Sequence, residues 1–437
     1  MGNLLEDGQR FNVDSVEGTV VRLLGGGGQG EVYKAELGGR EVALKWYYQP
    51  SASSEQRRMI EDLVDRPPPD DRFLWPSGLA EADGVPGFGY VMRLRPPEFK
   101  GIEDLLLQRE PLPTFRALAT ASFQLADSYW QLHVKGLCYR DLSEGNAFFD
   151  PVSGNVLICD NDNVAVNGAT HAGVNGTQRF MAPEIVRGEA KPSADTDRYS
   201  LGVLLFYMLF VHHPLEGAKE CNIRVMDPPA MQKLYGREPV YIFDPKDDSN
   251  RPVPGVHDNA TAYWNVYPNA LKRLFEHHFT EGLHNPAKRV RETQWREAFA
   301  SLADSIVYCA CGVENFYDRD TVQRGEEPTC WRCAKPLQMP PRMRIEGRGV
   351  VMLNHDTKLF PHHVGGSSGT YDFSAPLAEV RQHPKKAGVW GLANLSTQKW
   401  VLTNAAGEMR DVHPGNSALL AHGATINFGR AEGKVRA

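Results

Sequence analysis

Residues that could do chemistry occur together in the segment 139–146. An aspartate there follows an arginine, and an asparagine stands five positions after the aspartate. A carboxylate can accept the proton of an attacking hydroxyl, and a side-chain amide a short loop away can hold a metal ion on phosphate oxygens. Asp141 suits the first role and Asn146 the second. The spacing therefore indicates phosphoryl transfer.

A glycine-rich segment lies about a hundred residues before this loop, where Gly25, Gly27, Gly30 and Val32 form Gly-x-Gly-x-x-Gly-x-Val. Glycines without Cβ let backbone N–H groups approach phosphate oxygens closely. The segment lies between two predicted strands and no helix is predicted directly after it, which argues against a dinucleotide-binding turn. Taken alone, the motif is explained equally well as a flexible turn.

Further motifs follow in a fixed order on both sides of the catalytic segment. They are Val42-Ala43-Leu44-Lys45 at the end of a predicted strand, Ala182-Pro183-Glu184, Asp197 at the start of an apolar helix, and Arg289, which could pair with Glu184. Each motif alone is weak or moderate evidence, but jointly they are strong. Residues 10–305 resemble the eukaryotic-like (Hanks-type) Ser/Thr protein kinase domain.

The resemblance implies an α+β, two-lobed fold, with a small lobe over 10–92 and a large lobe over 96–305, and it implies ATP and Mg²⁺ as cofactors. It gives catalytic roles to Asp141, Lys45, Asn146 and Asp160, with Asn146 and Asp160 holding the magnesium ion. The residues implied to contact the nucleotide are Gly25, Gly27, Gly30, Val32, Ala43, Lys45, Glu61 and Met92.

The glutamate that pairs with Lys45 is predicted in a helix over 53–65, which ends before three consecutive prolines. Glu61 is the first choice and Glu55 the second. Arg57 and Glu61 could instead form an exposed pair one helical turn apart.

Four positions depart from the kinase pattern. Tyr139 replaces a histidine, and Ser143 stands where Ser/Thr kinases usually have a lysine. In Asp160-Asn161-Asp162, a polar residue and an aspartate replace the usual phenylalanine and glycine. These changes put the usual activation switch in doubt and leave open a pseudokinase scaffold that binds nucleotide and partners without efficient transfer.

Two threonines are candidate regulatory positions. Thr177, after Gly176, is predicted to lie in the segment that receives the substrate, and its context is that of Ser/Thr rather than Tyr kinases. Thr170 is a candidate phosphosite, although it could equally be an ordinary loop residue.

Composition excludes some classes of function. The formal net charge is −6, so no basic field indicates nucleic-acid binding. No stretch approaches the roughly 18 apolar residues of a membrane helix. The first residues lack the basic and apolar regions of a signal peptide. We therefore expect a cytoplasmic protein that binds neither nucleic acid nor a membrane.

Four of the seven cysteines cluster as two pairs, which in a reducing compartment favours a metal over disulfides. Four thiolates on two short turns can form a closed tetrahedral Zn²⁺ site, and the lack of an open position indicates a structural ion. The predicted ligands, in a module over 306–338, are Cys309, Cys311, Cys330 and Cys333. The one-residue spacer of the first pair is tighter than usual.

Short strands are predicted over 349–353, 389–392, 400–403, 418–420 and 424–428. Short strands separated by turns every 8–12 residues predict an all-β sandwich over 342–437. Its last segment, from Trp390-Gly391-Leu392 to Phe428-Gly429, resembles the end of forkhead-associated domains. A sandwich that only docks partners explains the same pattern.

The order of kinase, zinc module and sandwich also resembles bacterial kinases associated with tellurite-resistance (Ter) stress systems. That resemblance implies a role in bacterial signalling, a von Willebrand A-like protein as substrate and an opposing PPM-type phosphatase.

Overall fold

A computed structural model describes residues 3–107, 109–168, 176–365 and 369–437. The chain divides into two compact units. The first is formed by Met1–Pro113, Gln124–Thr261 and Phe275–Glu292, and the second by Thr114–Phe123, Ala262–Leu274 and Thr293–Ala437.

Six antiparallel strands of the first unit form a closed sheet with neighbour order β1-β2-β3-β4-β6-β5. They are β1 (Arg10–Val13), β2 (Val16–Gly26), β3 (Gly30–Leu37), β4 (Arg40–Tyr47), β5 (Gly78–Glu81) and β6 (Gly89–Arg93). Alternate side chains point inward, as the period of a strand requires. Phe11, Tyr33, Leu44, Trp46 and Val91 form the buried core of this sheet.

Short strands carry the catalytic segment. They are β7 (Lys100–Gly101), β8 (Leu137–Cys138), β9 (Ala147–Phe149), β10 (Val156–Ile158) and β11 (Ala165–Val166). Strand β9 pairs with β10, and β8 pairs with β11. These pairings bring the segments before and after the predicted catalytic loop together.

The α-helices lie between residues 54 and 364. They are α1 (Ser54–Val64), α2 (Ile102–Leu106), α3 (Phe115–Val134), α4 (Pro183–Val186), α5 (Ala194–Phe210), α6 (Ala218–Cys221), α7 (Pro228–Met231), α8 (Asp258–Trp264), α9 (Asn269–Phe279), α10 (Glu281–His284), α11 (Glu292–Asp304), α12 (Arg319–Gln323) and α13 (Pro361–Val364). Among the described residues, none of these helices has the length and hydropathy that a membrane span requires.

Residues 201–210 of helix α5 are all buried, as their almost uninterrupted apolar sequence requires. The side chain of Ser193 caps its first turn by accepting a hydrogen bond from the backbone N–H of Thr196. Asp197 therefore sits at a fixed point of the first turn, inside the protein.

The predicted pair of Glu184 and Arg289 is confirmed. Both terminal nitrogens of Arg289 donate to the two carboxylate oxygens of Glu184 at 2.8 Å. The arginine also donates to the carbonyl of Asp195, and its side chain is fully buried. This bidentate pair holds the segment that follows Thr177 against the start of α5.

Two sheets form the C-terminal part of the second unit. Their strands are β14 (Arg342–Ile345), β15 (Gly349–Met352), β16 (Lys358–Leu359), β17 (Ala378–Gln382), β18 (Trp390–Asn394), β19 (Trp400–Thr403), β20 (Met409–Val412), β21 (Ser417–Leu419), β22 (Thr425–Asn427) and β23 (Glu432–Arg436). One sheet has the order β15-β14-β23-β22-β19-β20 and the other β16-β17-β18-β21. Met343 and Ile426 of the first sheet share one buried cluster with Val380 and Leu392 of the second, so the sheets pack face to face.

A buried histidine bridges two carboxylates within the first unit. The ring nitrogens of His133, on α3, face Glu292 of α11 at 2.5 Å and Asp197 of α5 at 3.0 Å. Burial alone would lower the pKa of His133, but hydrogen bonds to Asp197 and Glu292 raise it to about 9. The imidazolium therefore keeps its proton at neutral pH and bridges two buried carboxylates.

This bridge makes stability depend on pH. Because the pKa of His133 is about 9 in the folded protein and about 6.5 in an unfolded chain, its contribution is complete below pH ~6.5. It is lost as the pH rises through about 9, and it amounts to about 3 kcal/mol. Denaturant unfolding at several pH values should show this loss in the wild type, whereas the decline should be smaller by that amount in His133→Gln. Equal pH slopes for the two proteins would contradict the bridge.

Candidate active site

Asp197 holds the backbone of the loop that carries Asp141. One carboxylate oxygen of Asp197 accepts the backbone N–H of Tyr139 at 2.6 Å, and the other accepts that of Arg140 at 3.3 Å. Arg140 has a φ of 70°. This conformation costs a non-glycine residue energy and persists only where the surrounding structure fixes it. The side chain of Arg140 donates to the carbonyl of Asn163 at 2.6 Å and so connects the loop to the segment after Asp160.

Asp141 faces the segment predicted to receive the substrate. Its Oδ1 accepts the backbone N–H of Thr177 at 2.7 Å and the hydroxyl of Thr177 at 3.0 Å. Asn146 donates from Nδ2 to the backbone carbonyl of Asp141 at 2.7 Å, which turns the amide of Asn146 toward the loop. The structure thus brings Asp141, Asn146 and Thr177 together. The other regulatory candidate, Thr170, lies outside the described residues.

Asp160 lies next to Asn146 because the strands on either side are paired. The backbone N–H of Cys159 donates to the carbonyl of Asn146 at 3.0 Å. The hydroxyl of Tyr139 donates to the carbonyl of Cys159, so the tyrosine at the usual histidine position joins the catalytic loop to the strand before Asp160. Asp160 itself has a φ of 52°, and its side chain is 37% exposed.

The donor chemistry of this pair fits magnesium. Mg²⁺ is a hard ion that prefers oxygen ligands and is usually held by one or two carboxylates together with substrate phosphates. Asp160 supplies a partly exposed carboxylate. Asn146 uses its Nδ2 for the contact with Asp141, so its amide oxygen remains as the second protein ligand. Their roles as metal ligands stay predictions.

Lys45 is paired with an aspartate from the same segment. Its Nζ lies 2.8 and 3.0 Å from the two carboxylate oxygens of Asp162 and 3.5 Å from Oδ1 of Asp160. Burial alone would lower the pKa of Lys45, but the carboxylates of Asp162 and Asp160 raise it. Burial would likewise raise the pKa of Asp162, but Lys45 and two tyrosine hydroxyls hold it below its ordinary value. Both groups therefore stay charged.

The predicted pair of Lys45 and Glu61 is wrong in this structure. The side chain of Glu61 is 50% exposed, and its carboxylate accepts from Nε of Arg57 at 3.2 Å. This is the exposed pair one turn apart that the helical spacing also allowed. Glu55, the second choice, is exposed as well. Helix α1 is thus rotated so that its apolar Ile60 and Leu63 are buried.

The glycines of the predicted phosphate loop have different local environments. A Cβ at Gly25 or Gly27 would meet no atom of the described residues within 4 Å. A Cβ at Gly30 would lie 2.1 Å from the carbonyl oxygen of Trp46, so packing alone requires glycine there. Gln29, at the tip of the turn, approaches the site: its Oε1 accepts from Lys45 at 3.4 Å, and its Nε2 donates to Asn163 at 3.4 Å.

The predicted adenine-contacting residues lie on neighbouring strands. Ala43 is directly opposite Met92 in the pairing of β4 with β6, and Val32 is opposite Lys45 in the pairing of β3 with β4. Ala43 and Met92 are both buried. Contact of these residues with a nucleotide stays a prediction.

The departures from the kinase pattern produce a polar interior beside the site. Asn161 is fully buried and donates from Nδ2 to the carbonyl of Ile158 at 3.0 Å. Its Oδ1 has no partner among the described residues. Ser143 is buried as well, where a lysine would be expected to reach the phosphates.

The sequence did not predict the hydrogen-bond network that joins Lys45, Asp162, Tyr47 and Tyr90. Tyr47 donates its hydroxyl to Asp162 at 2.7 Å and Tyr90 donates at 3.2 Å. Burial raises the pKa of both tyrosines well above the ordinary value, so they remain neutral donors. One signal was available, because Tyr47 stands two residues after Lys45 and so points to the same face of β4.

The four predicted zinc ligands converge. Their sulfur atoms all lie within 4.8 Å of one another. Sulfur separations of 3.7 Å join Cys309 to Cys333 and Cys311 to Cys330. Tetrahedral Zn²⁺ with Zn–S bonds of about 2.3 Å requires sulfur separations of about 3.8 Å, so the cluster is compatible with zinc.

Local hydrogen bonds support a thiolate at Cys330. Burial alone would raise the pKa of its thiol, but the backbone N–H groups of Cys333 and Arg332 lower it. Asn315, on strand β13 (Glu314–Phe316), directs its Nδ2 to Sγ of Cys330 at 3.7 Å. Strand β13 pairs with β12 (Ile306–Tyr308), and the first cysteine pair stands in the turn between them.

A second group of metal-ligand residue types, Glu220, Cys221 and His257, lies within similar distances. The Nδ1 of His257 accepts the backbone N–H of Val253 at 2.9 Å, so the ring proton resides on Nε2, the nitrogen that faces Cys221. That tautomer does not offer a metal a free lone pair.

Comparisons with known proteins agree with the site. Residues 100–275 match the family described as the protein kinase domain. CBL-interacting protein kinase 29 of Oryza sativa subsp. japonica is 30% identical over 219 residues, 46% of this chain and 47% of that protein. The DNA damage-responsive serine/threonine-protein kinase RqkA of Deinococcus radiodurans is 30% identical over 256 residues, 55% of this chain and 34% of that protein.

Protein kinase C delta type of Mus musculus is 28% identical over 268 residues, 54% of this chain and 38% of that protein. This chain therefore spans about half the length, or less, of these curated relatives. The matched residues 100–275 contain the catalytic loop, Asp160 and the Thr177 segment. The family match, the names of the relatives and the site together support a Ser/Thr protein kinase.

Proposed function

We propose that the protein is an ATP- and Mg²⁺-dependent Ser/Thr protein kinase that transfers the γ-phosphoryl group to protein hydroxyls. The observation that carries the proposal is the convergence of Asp141, Asn146, Asp160 and Lys45 from three separate segments, joined by the contacts described above. The proposed fold has two lobes, over 10–92 and 96–305, followed by modules over 306–338 and 342–437.

Each residue has a distinct role in this proposal. Asp141 orients the acceptor hydroxyl and receives its proton, and Thr177 fixes the carboxylate that does so. Asn146 and Asp160 would hold Mg²⁺, which neutralises phosphate charge when bound. Lys45 positions the α- and β-phosphates. Because phosphoryl transfer proceeds through a loose transition state, most of the rate enhancement should come from positioning and charge stabilisation.

A pseudokinase scaffold is the second candidate function. Ser143 removes a lysine from beside the γ-phosphate, and the buried Asn161 replaces an apolar residue. Such a protein would bind nucleotide and partners without efficient transfer. Ser143 and Asn161 are the observations that favour it, while the intact Asp141–Thr177 contact favours the enzyme.

We further propose a structural Zn²⁺ on Cys309, Cys311, Cys330 and Cys333. The separations between their sulfur atoms and the hydrogen bond from Asn315 support it.

We also propose that the C-terminal two-sheet module docks partners. The resemblance to Ter-associated bacterial kinases suggests cytoplasmic signalling, a von Willebrand A-like substrate and an opposing PPM-type phosphatase. A forkhead-associated-like fold would allow the module to bind phosphothreonine. A docked substrate has a raised local concentration at the kinase, which increases its phosphorylation without any new catalytic contact.

Phosphoryl transfer is tested with labelled ATP and Mg²⁺. Wild-type protein should become labelled on serine or threonine, while Asp141→Asn should lose most of the label because its amide cannot accept the proton. Asp150→Asn, which alters a carboxylate that caps an exposed turn, is the matched control and should behave like wild type. Equal labelling of wild type and Asp141→Asn would favour the scaffold, and label on tyrosine alone would overturn the Ser/Thr assignment.

Zinc binding is tested by metal analysis of purified protein. The wild type should carry one zinc ion and Cys330→Ser should lose it, because a hydroxyl is a poor ligand in a thiolate site. Cys221→Ser, which changes an exposed cysteine outside the cluster, should keep the metal. Zinc-free wild type, or unchanged zinc in Cys330→Ser, would refute the proposal.

Docking is tested by deletion of residues 342–437. The truncated protein should phosphorylate its protein partner more slowly but modify a short peptide, or itself, at the wild-type rate. Loss of all activity in a truncated protein that remains folded would make the module part of the active enzyme.

A further inference from the structure

Asp162 has the most enclosed carboxylate near the site. Its side chain is completely buried, and both oxygens accept two donors each. Oδ1 accepts from Lys45 at 3.0 Å and from Tyr90 at 3.2 Å. Oδ2 accepts from Lys45 at 2.8 Å and from Tyr47 at 2.7 Å. A buried carboxylate with every contact satisfied in this way holds its partner in one place.

Glu61, on helix α1, is not a partner of Lys45 or Asp162 in this structure. Glu61 bonds Arg57, and Arg57 also bonds Glu81 on β5. The helix contacts the hydrogen-bond network of Lys45 and Asp162 through a neutral group, because Nε2 of Gln56 donates to the hydroxyl of Tyr47 at 3.1 Å. A chain of hydrogen bonds therefore runs from Gln56 through Tyr47 to Asp162.

Resting on the proposed kinase function, we propose that Asp162 is the positioning residue that holds Lys45 for the nucleotide phosphates, in place of a glutamate from α1. Lys45 lies between Asp162, which is enclosed, and Asp160, which is partly exposed toward the site. The charge that orients the lysine thus comes from the segment that also supplies the predicted metal ligand.

The geometry leaves Lys45 able to serve a ligand. An ammonium group has three N–H donors. Asp162 takes the short contacts, whereas Asp160 at 3.5 Å and Gln29 at 3.4 Å are long ones that a phosphate oxygen can replace. Asp162 cannot be displaced in this way, because removing one member of a buried ion pair leaves the other uncompensated.

One consequence is that the position of Lys45 does not depend on a direct contact with Glu61 of α1. A rotation of the helix would break the contact from Gln56 to Tyr47 but would leave Asp162 bonded to Lys45. Asp162, two residues after Asp160, is fixed in sequence relative to the metal site. We therefore expect lysine and metal ligand to be positioned together.

The test compares charge-removing variants at the competing positions. In Asp162→Asn, kcat/KM for ATP should fall roughly 100-fold, the scale expected when a catalytic group is misplaced by about an ångström. Most of that loss should appear in kcat. The matched control Glu61→Gln should stay within about 2-fold of wild type, because the carboxylate of Glu61 bonds Arg57 and not Lys45.

A second comparison separates positioning from loss of structure. If Asp162 acts through Lys45, adding Asp162→Asn to Lys45→Met should cause no further loss of kcat. Tyr90→Phe removes one hydrogen bond from Asp162 while keeping the ring that packs in the core, so it should give an intermediate loss at an unchanged melting temperature. This variant keeps the test decisive if Asp162→Asn does not fold.

Three outcomes would overturn the proposal. They are a roughly 100-fold loss in Glu61→Gln with none in Asp162→Asn, additive losses from Lys45→Met and Asp162→Asn, and increased activity in Asp162→Asn, which would make the ion pair an inhibitory lock. If the wild type transfers no phosphoryl group, the kinase proposal fails by itself. Binding of Mg²⁺-ATP then decides the role of Asp162: weaker binding by Asp162→Asn but not by Glu61→Gln supports it, and equal binding by all three proteins overturns it.

Discussion

The site depends on the burial of one ion pair. Removing Lys45 and Asp162 from water is costly, and their attraction offsets that cost only because the remaining lone pairs are also satisfied. Tyr47 satisfies them from β4, the strand that carries Lys45, and Tyr90 does so from the neighbouring β6, where it lies opposite Lys45. The closed sheet and the Asp160-Asn161-Asp162 segment are therefore held together by a charge contact that tolerates little rearrangement.

Other buried charges hold the catalytic loop in the same manner. Asp197 accepts the backbone of the loop, His133 bridges Asp197 to Glu292, and Arg289 fixes Glu184. Each of these is a charged group paired inside the protein. Loss of one partner would leave the other charge buried and uncompensated. Rigid support of this kind suits a reaction whose acceleration comes chiefly from positioning.

Sequence spacing predicted the parts of the site that short backbone segments determine. Asp141 and Asn146 share one loop, and the two cysteines of each pair are one or two residues apart, so the proximity within each of these sets follows from local geometry. The rotation of α1 does not follow from spacing, because Glu61 can face solvent or Lys45 without changing the helix. In the sequence, Asp162 is visible only as a replacement for the usual glycine. Its ion pair with Lys45 cannot be predicted from spacing, because the two residues are 117 positions apart.

Several C-terminal strands escaped prediction for a related reason. Strands β14, β20 and β23 carry charged residues on their exposed faces, which weakens the apolar signal in four- or five-residue segments. Long-range pairing, such as that of β14 with β23, identifies them in the structure.

The role of Asp162 in holding Lys45 is tested most directly by a crystal structure with Mg²⁺ and a non-hydrolysable ATP analogue. We expect Nζ of Lys45 to lie between Asp162 and the phosphates, with Glu61 still bonded to Arg57. A structure in which Glu61 is bonded to Lys45 and Asp162 is released would contradict this.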